Sequence, residues 1–157
     1  MMIYLDYSAT TPVNREVIDT YSRVCSEFIG NPNSLHKLGV EAKKLIDAST
    51  KQIASILGVN PNEIIYTSGA SEANNMAIMS ALSRKNRGNR IITTAIEHHA
   101  ILNCMKELEA QGFEVTYLQP DRQGQITLET LKAALRPDTI LVSIMMVNNE
   151  VGSVMPI

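Results

Sequence analysis

Arg90-Ile91-Ile92-Thr93-Thr94-Ala95 leads through Ile96-Glu97-His98-His99 into Ala100-Ile101-Leu102-Asn103-Cys104-Met105-Lys106-Glu107-Leu108-Glu109-Ala110-Gln111-Gly112, and from there to Glu114-Val115-Thr116-Tyr117-Leu118. The first and last runs are rich in β-branched and aromatic residues and predict strands over 90–95 and 114–118. Between them Ile101, Cys104, Met105 and Leu108 recur at helical spacing, which predicts a helix over 100–111 ended by Gly112. Cys104 belongs to that apolar stripe, so its thiol is read as buried. Strand, helix and strand of these lengths point to an α/β layered fold with a mainly parallel sheet.

The alternation continues in both directions. Downstream, Pro120–Gly124 is a turn, Leu128–Leu135 a short helix stopped before Pro137, and Thr139–Val147 a strand apolar over most of its length. Such a strand suits a sheet covered on both faces. Upstream, Glu63–Thr67 reads as a strand and Ala70–Leu82 as a helix. A long helix is expected over about 38–57, with Val40, Ile46, Ile53, Ile56 and Leu57 as its buried stripe and Gly58 at its C-cap. Lys43, Lys44 and Lys51 fall mostly elsewhere, on a solvated face. Gly30-Asn31-Pro32-Asn33-Ser34 is a loop. A helix over about 14–28 carries Ile18, Tyr21, Cys25 and Phe28 at helical spacing, and this places Cys25 in the core. Residues 3–12 read as an extended arm. The chain stops at Met155-Pro156-Ile157 with no closing helix after the last strand, so it is read as part of a longer polypeptide.

Composition narrows the function classes. Of 157 residues, 45% are hydrophobic and 19% charged, which is enough apolar material for a real core. The net charge of -2, without a basic block, offers nothing to nucleic acid or an anionic membrane surface. No apolar run approaches the ~20 residues that span a bilayer. The first residues lack the layout of a signal peptide, and Cys25 and Cys104 are too few for a disulfide framework. A cytoplasmic location is the expectation.

In α/β folds ligands gather at the carboxyl ends of strands. Three polar clusters are expected there: residues 67–71, 96–99 and 148–150. In Thr67-Ser68-Gly69-Ala70-Ser71 a turn of small residues opens a helix, whose free amides and dipole attract an anion. Either this is a phosphate cradle, or Ser68 is simply a helix cap. Glu97-His98-His99 invites a metal, but only His36 remains as a further histidine, so no metal site is expected. It reads instead as a helix start with Glu97 near the positive dipole end, or as a histidine stacked on a planar ligand. Asn148-Asn149-Glu150-Val151-Gly152 is a polar turn in which Asn149 could hold a ligand hydroxyl.

Five motifs in order resemble cysteine desulfurases of the NifS/IscS type, enzymes of the class-V aminotransferase group that depend on pyridoxal 5'-phosphate (PLP). They are Tyr4-Leu5-Asp6-Tyr7-Ser8-Ala9-Thr10-Thr11-Pro12, Gly30-Asn31-Pro32-Asn33-Ser34-Leu35-His36-Lys37-Leu38-Gly39, Thr67-Ser68-Gly69-Ala70-Ser71-Glu72-Ala73-Asn74-Asn75, Glu97-His98-His99-Ala100, and Val147-Asn148-Asn149-Glu150-Val151-Gly152. The resemblance implies the aspartate-aminotransferase-like fold (PLP fold type I). Residues 1–157 would be an N-terminal arm plus an incomplete large PLP-binding domain, without the rest of that domain or the C-terminal small domain. It implies that Ala70 and Ser71 hold the PLP phosphate, that His98 stacks on the pyridine ring, and that Asn149 lies near the ring hydroxyl and the substrate. Ala9, Thr10 and Asn31 match segments near the site. The implied reaction takes sulfur from L-cysteine, leaves L-alanine and an enzyme-bound persulfide, and feeds iron-sulfur clusters or thio-cofactors. Implied partners are a second copy, as homodimer, and a sulfur-acceptor or iron-sulfur scaffold protein. The family's Schiff-base lysine, its ring-nitrogen aspartate and its nucleophilic cysteine all lie beyond residue 157 in family order, so this chain alone is expected to be inactive. Lys37 sits in the early Gly-Asn-Pro motif and is not that lysine; Cys104 is not that cysteine. Met155 stands where relatives often carry Gln. A selenocysteine lyase, a related aminotransferase, or a truncated interaction or dimerisation module are the alternative readings.

Overall fold

The computed structural model describes residues 3–156. It divides into two compact units, Met1–Tyr66 and Thr67–Ile157.

The second unit is built on the strand–helix–strand stretch. Strand β1 (Arg90–Thr94) lies between β2 (Glu114–Leu118) and β3 (Thr139–Val142), parallel to both. Parallel neighbours need crossovers. Helix α4 (His99–Ala110) connects β1 to β2, and helix α5 (Leu128–Ala134) connects β2 to β3. Every residue of β1 is buried. Because strand side chains alternate, Ile91 and Ile92 enter different cores. Ile91 packs with Ile101, Cys104, Met105, Leu108 and Phe113, joined by Ile78 and Ala81 from the region of helix α3 (Ala70–Met79). Ile92 packs with Leu118, Ile126 and Met155. Met155 is therefore a core residue, and its sulfur accepts from the Ile126 N–H at 3.4 Å. At the sheet's opposite end Glu114 bridges two guanidinium groups. It pairs with Arg90, nine-tenths buried, and with Arg136 Nη2 at 2.6 Å. Arg136 also pairs with Asp138 at 3.2 Å, and Arg90 Nε donates to the Ala134 carbonyl at 3.2 Å.

Two expectations for this unit are corrected. Helix α3 ends at Met79 and passes into a 3-10 segment, Ser80–Arg87, rather than running to Leu82. Strand β3 stops at Val142, not Val147. Ser143 N–H still donates to the Ile92 carbonyl at 2.9 Å, but Val147 then pairs antiparallel with Val154. β3 is only partly covered, so its apolar run overstates its burial.

The first unit is helical. Helix α1 (Arg15–Glu27) starts at Asn14, whose side chain accepts from Glu16 N–H at 2.8 Å. Helix α2 (Lys37–Leu57) starts at His36, whose Nδ1 accepts from Gly39 N–H at 3.3 Å, and it ends on Gly58 in the left-handed region at φ 68°. A side chain at Gly30 would collide with the Leu38 carbonyl, and one at Gly39 with the Ser34 carbonyl, so both glycines of the second motif are needed for its tight return.

Three expectations fail here. Cys25 is exposed, and α1 buries no residue at all. Spacing identifies an apolar face but not whether this chain covers it. In α2 the buried residues are Gly39, Ala42 and Ala54, while Val40, Ile46, Ile53, Ile56 and Leu57 are exposed by 37–84%. The small residues permit close approach and the large ones stand beside the contact. Residues 63–67 form no strand. Pro61–Glu63 is a 3-10 turn with an Asn60–Glu63 capping box. Ile64 is extended, but among the described residues it has no ladder partner. An extended segment becomes a strand only when its N–H and C=O groups meet a neighbour.

Candidate functional site

At the start of α3 the amides of Ala70, Ser71 and Glu72 belong to the first turn and have no acceptor within the helix. Ser71 is exposed. A Cβ placed on Gly69 would meet nothing within 4 Å, so the approach to this helix end is open. Glu72 folds back onto the turn: its Oε2 accepts from Ser68 N–H at 2.6 Å and from the Ser68 hydroxyl at 2.7 Å. Those two bonds, the backbone one first, hold its carboxyl below the usual range. The cradle thus keeps three first-turn amides and the Ser71 hydroxyl for an anion, while the Glu72 carboxylate is held on Ser68.

Helix α3 packs on α4. A cleft of about 320 Å³ between them is lined by Ser71, Asn75, Ala100, Asn103, Cys104 and Glu107. Cys104 Sγ donates to Asn75 Oδ1 and is also 3.1 Å from the Ala100 carbonyl oxygen. Burial pushes its thiol pKa up. The thiol is buried, as the helical stripe predicts.

The residues after β1 form the second part. His98 is the N-cap of α4, and its Nδ1 accepts from Ala100 N–H at 3.1 Å. That bond uses the Nδ1 lone pair, so the neutral ring carries its proton on Nε2. The ring is exposed. Glu97, 8% exposed, turns inward. One oxygen, Oε1, accepts from the Thr94 hydroxyl at 3.1 Å and from Met145 N–H at 2.8 Å. Burial raises its carboxyl above the usual value, and those two donors pull the other way without cancelling it.

The third part is the turn after β3. Asn148 is 4% exposed. Its Nδ2 donates to the Ile96 carbonyl at 3.0 Å, and its Oδ1 accepts from the amides of Glu150 and Val151 at 2.9 Å. Asn149 is exposed and donates to Glu150 Oε1 at 2.9 Å. A second cleft of about 550 Å³ is lined by Glu97, His99, Asp121, Arg122, Asn148 and Glu150 among others.

The structure therefore joins the His98 and Asn149 segments by direct hydrogen bonds, and brings Ser71 against the α4 start through helix packing. The cradle does not follow a paired strand, and the Asn148 turn lies beyond the end of β3 rather than on it. Ala9, Thr10 and Asn31 belong to the first unit. There the amides of Ala9 and Thr10 donate to the Asp6 carbonyl at 3.2 and 3.4 Å, and Asn31 Oδ1 accepts from Asn33 N–H at 2.9 Å. Glu97 as a buried clip and Asn148 as the turn's organiser escape a reading of site residues alone. The signal for Asn148 was available: an Asn two and three residues before amide donors is the pattern of a side chain closing its own turn. Among the described residues no cluster of three or more His, Cys, Asp or Glu could hold a metal ion. No helix there is long and apolar enough to cross a membrane.

A family model described as aminotransferase class-V matches residues 3–157. A NifS/IcsS protein homolog of Lactobacillus delbrueckii subsp. bulgaricus is 51% identical over 157 residues, covering 99% of this chain and 41% of the relative. A putative cysteine desulfurase IscS 1 of Bacillus subtilis is 49% identical over 156 residues, with 99% and 41% covered. The chain thus spans about two fifths of the length of these curated relatives, whose N-terminal part it matches. Among solved structures, a NifS-like protein is 42% identical with a TM-score of 0.94, covering 99% of this chain and 43% of that one. A structure described as SspA in complex with cysteine is 41% identical with a TM-score of 0.90, covering 98% and 44%. The family match over nearly every residue, and the α/β architecture shared with a NifS-like protein, show that this chain belongs to the aminotransferase class-V family.

Proposed function

We propose that this chain is the N-terminal, cofactor-holding part of a PLP-dependent cysteine desulfurase, with L-cysteine as substrate. The observation that carries the reading is the fit of the donor set. Open first-turn amides and the Ser71 hydroxyl suit a phosphate, and an exposed, orientation-locked His98 ring suits a planar heterocycle. The names of the relatives and the cysteine bound in the SspA structure support the substrate class.

Each residue then has a task. Ala70 N–H, Ser71 N–H and the Ser71 hydroxyl hold the phosphate. His98 stacks on the ring, its orientation fixed by the Ala100 amide at Nδ1, which leaves the Nε2 proton facing outward. The Asn149 side-chain amide donates to the ring hydroxyl, and exchanges its bond to Glu150 to do so. Ala9, Thr10 and Asn31 are assigned by the resemblance alone, as matches to segments that lie near the site in that family. PLP, when bound, supplies an electron sink for carbanion chemistry at the amino acid. The lysine, aspartate and sulfur-accepting cysteine of the reaction come from outside these 157 residues. A homodimer, a sulfur-acceptor or iron-sulfur scaffold partner and a cytoplasmic setting complete the proposal.

The test is PLP titration of this chain, read by absorbance and by quenching of its tyrosine fluorescence, with inorganic phosphate as competitor. Ser71→Ala and His98→Ala are each expected to weaken binding by about tenfold, the loss of one good hydrogen bond or stacking contact. This chain alone is expected to release no alanine from L-cysteine. PLP binding indifferent to both substitutions, or steady alanine release, overturns the proposal.

A further inference from the structure

Glu97 and Asn148 reach across the same gap in opposite directions. Glu97, on the β1 side, accepts with Oε1 from Met145 N–H at 2.8 Å on the β3 side. Asn148, on the β3 side, donates with Nδ2 to the Ile96 carbonyl at 3.0 Å on the β1 side. Both side chains are more than nine-tenths buried. Neither β1 nor β3 holds this region by ladder bonds, because β1 ends at Thr94 and β3 at Val142. The two side chains replace the missing ladder. Each neighbours an exposed side chain assigned above to the cofactor ring: His98 follows Glu97, and Asn149 follows Asn148.

We infer that Glu97 and Asn148 form a reciprocal latch that fixes the spacing between His98 and Asn149, and so are positioning residues for the planar ligand that those two hold. The inference rests on the proposed cofactor reading for its ligand, but not for its geometry. Asn148 serves two ends separately. Its Oδ1 closes the turn onto Glu150 and Val151, while its Nδ2 makes the latch. Asn148→Asp keeps the turn acceptors and sets an oxygen against the Ile96 carbonyl, which opens the latch and also removes the donor that meets Met145 Sδ at 3.3 Å. Glu97→Gln keeps an acceptor for Met145 N–H, whereas Glu97→Ala leaves that buried amide unpaired.

The experiment compares these three variants with the parent chain by NMR and PLP titration, after circular dichroism has shown each to be folded. Without cofactor, Glu97→Ala and Asn148→Asp are expected to shift the His98 ring resonances and to speed Met145 amide exchange by about tenfold, as loss of one buried bond does. Glu97→Gln is expected to restore both readings. With PLP, Glu97→Ala and Asn148→Asp weaken binding by about tenfold and Glu97→Gln by less than about threefold. Unchanged His98 resonances and Met145 exchange in folded Glu97→Ala overturn the latch. So does rescue that fails in Glu97→Gln. If the latch variants bind PLP like the parent while Ser71→Ala does not, the latch fails and the cofactor reading stands. If no variant, Ser71→Ala included, alters PLP binding, the cofactor reading fails and the latch is judged by the resonances and exchange alone.

Discussion

Glu97 is an acid with two donors on one oxygen and little water around it. In the folded chain burial holds its carboxyl above the ordinary value of 4.5; in the unfolded chain nothing does. Between those two values the folded state binds more protons, so protonation favours folding. The stability that Glu97 contributes in its protonated form is present below the unfolded value and is lost as pH rises through the folded one. Urea unfolding midpoints measured from about pH 4 to pH 7 are expected to fall on this account. Glu97→Gln, fixed in a neutral form, is expected to flatten that slope. A slope identical in Glu97→Gln would place the titration elsewhere. Adjacent residues divide the labour: Glu97 turns in, and His98 and His99 face solvent.

At the scale of elements, Glu114 ties β1 to the segment entering β3. Its two guanidinium partners differ, since the Arg90 side chain is 11% exposed and that of Arg136 is 44% exposed. Glu114→Ala leaves Arg90 buried without its carboxylate. It is expected to cost about 1–2 kcal/mol, less than a fully buried pair because Glu114 is itself half exposed. Arg136→Ala costs less than about 1 kcal/mol. Thermal melts of both variants at low and high salt check the order, and salt should shrink the loss by a larger share for Arg136→Ala than for Glu114→Ala, which also breaks the pair to buried Arg90. Elements whose signals are local were legible in the sequence. β2 runs over Glu114–Leu118 as expected, and β1 and α4 differ by one residue at their ends, because β-branched runs, helical spacing and Gly112 act within a few residues. The stretch at 63–67 was not legible, because a strand is a relation between segments and its apolar residues cannot report an absent neighbour. In α2 the spacing located the helix, yet Ala42 and Ala54 rather than Ile46 and Ile53 took the contact, since close approach selects small side chains.

Over the whole molecule, burial is concentrated in the second unit. Its central strand is covered on both faces, whereas among the described residues the first unit buries only Gly39, Ala42 and Ala54. Val17, Tyr21, Leu35 and Ile56 are left 57–97% exposed there. Apolar side chains at this density are characteristic of a surface meant to be covered. The proposed site was legible in the same uneven way. Ala70, Ser71, His98 and Asn149 are proposed from motifs, whereas the hydrogen bonds of Glu97 and Asn148 join residues some 50 positions apart, which no motif reports.

Each unit also carries one thiol, and the two differ in access: Cys25 is exposed on α1 and Cys104 is buried under α3. The chain therefore contains its own pair of clocks. A maleimide or iodoacetamide should modify Cys25 at the rate of a free thiol, and Cys104 only when α4 lifts from its core, slower by about a hundredfold or more. Mass spectrometry of the time course, peptide by peptide, reads the opening of the second unit without any added probe. Equal rates at the two cysteines would mean that the α3–α4 packing does not persist in solution.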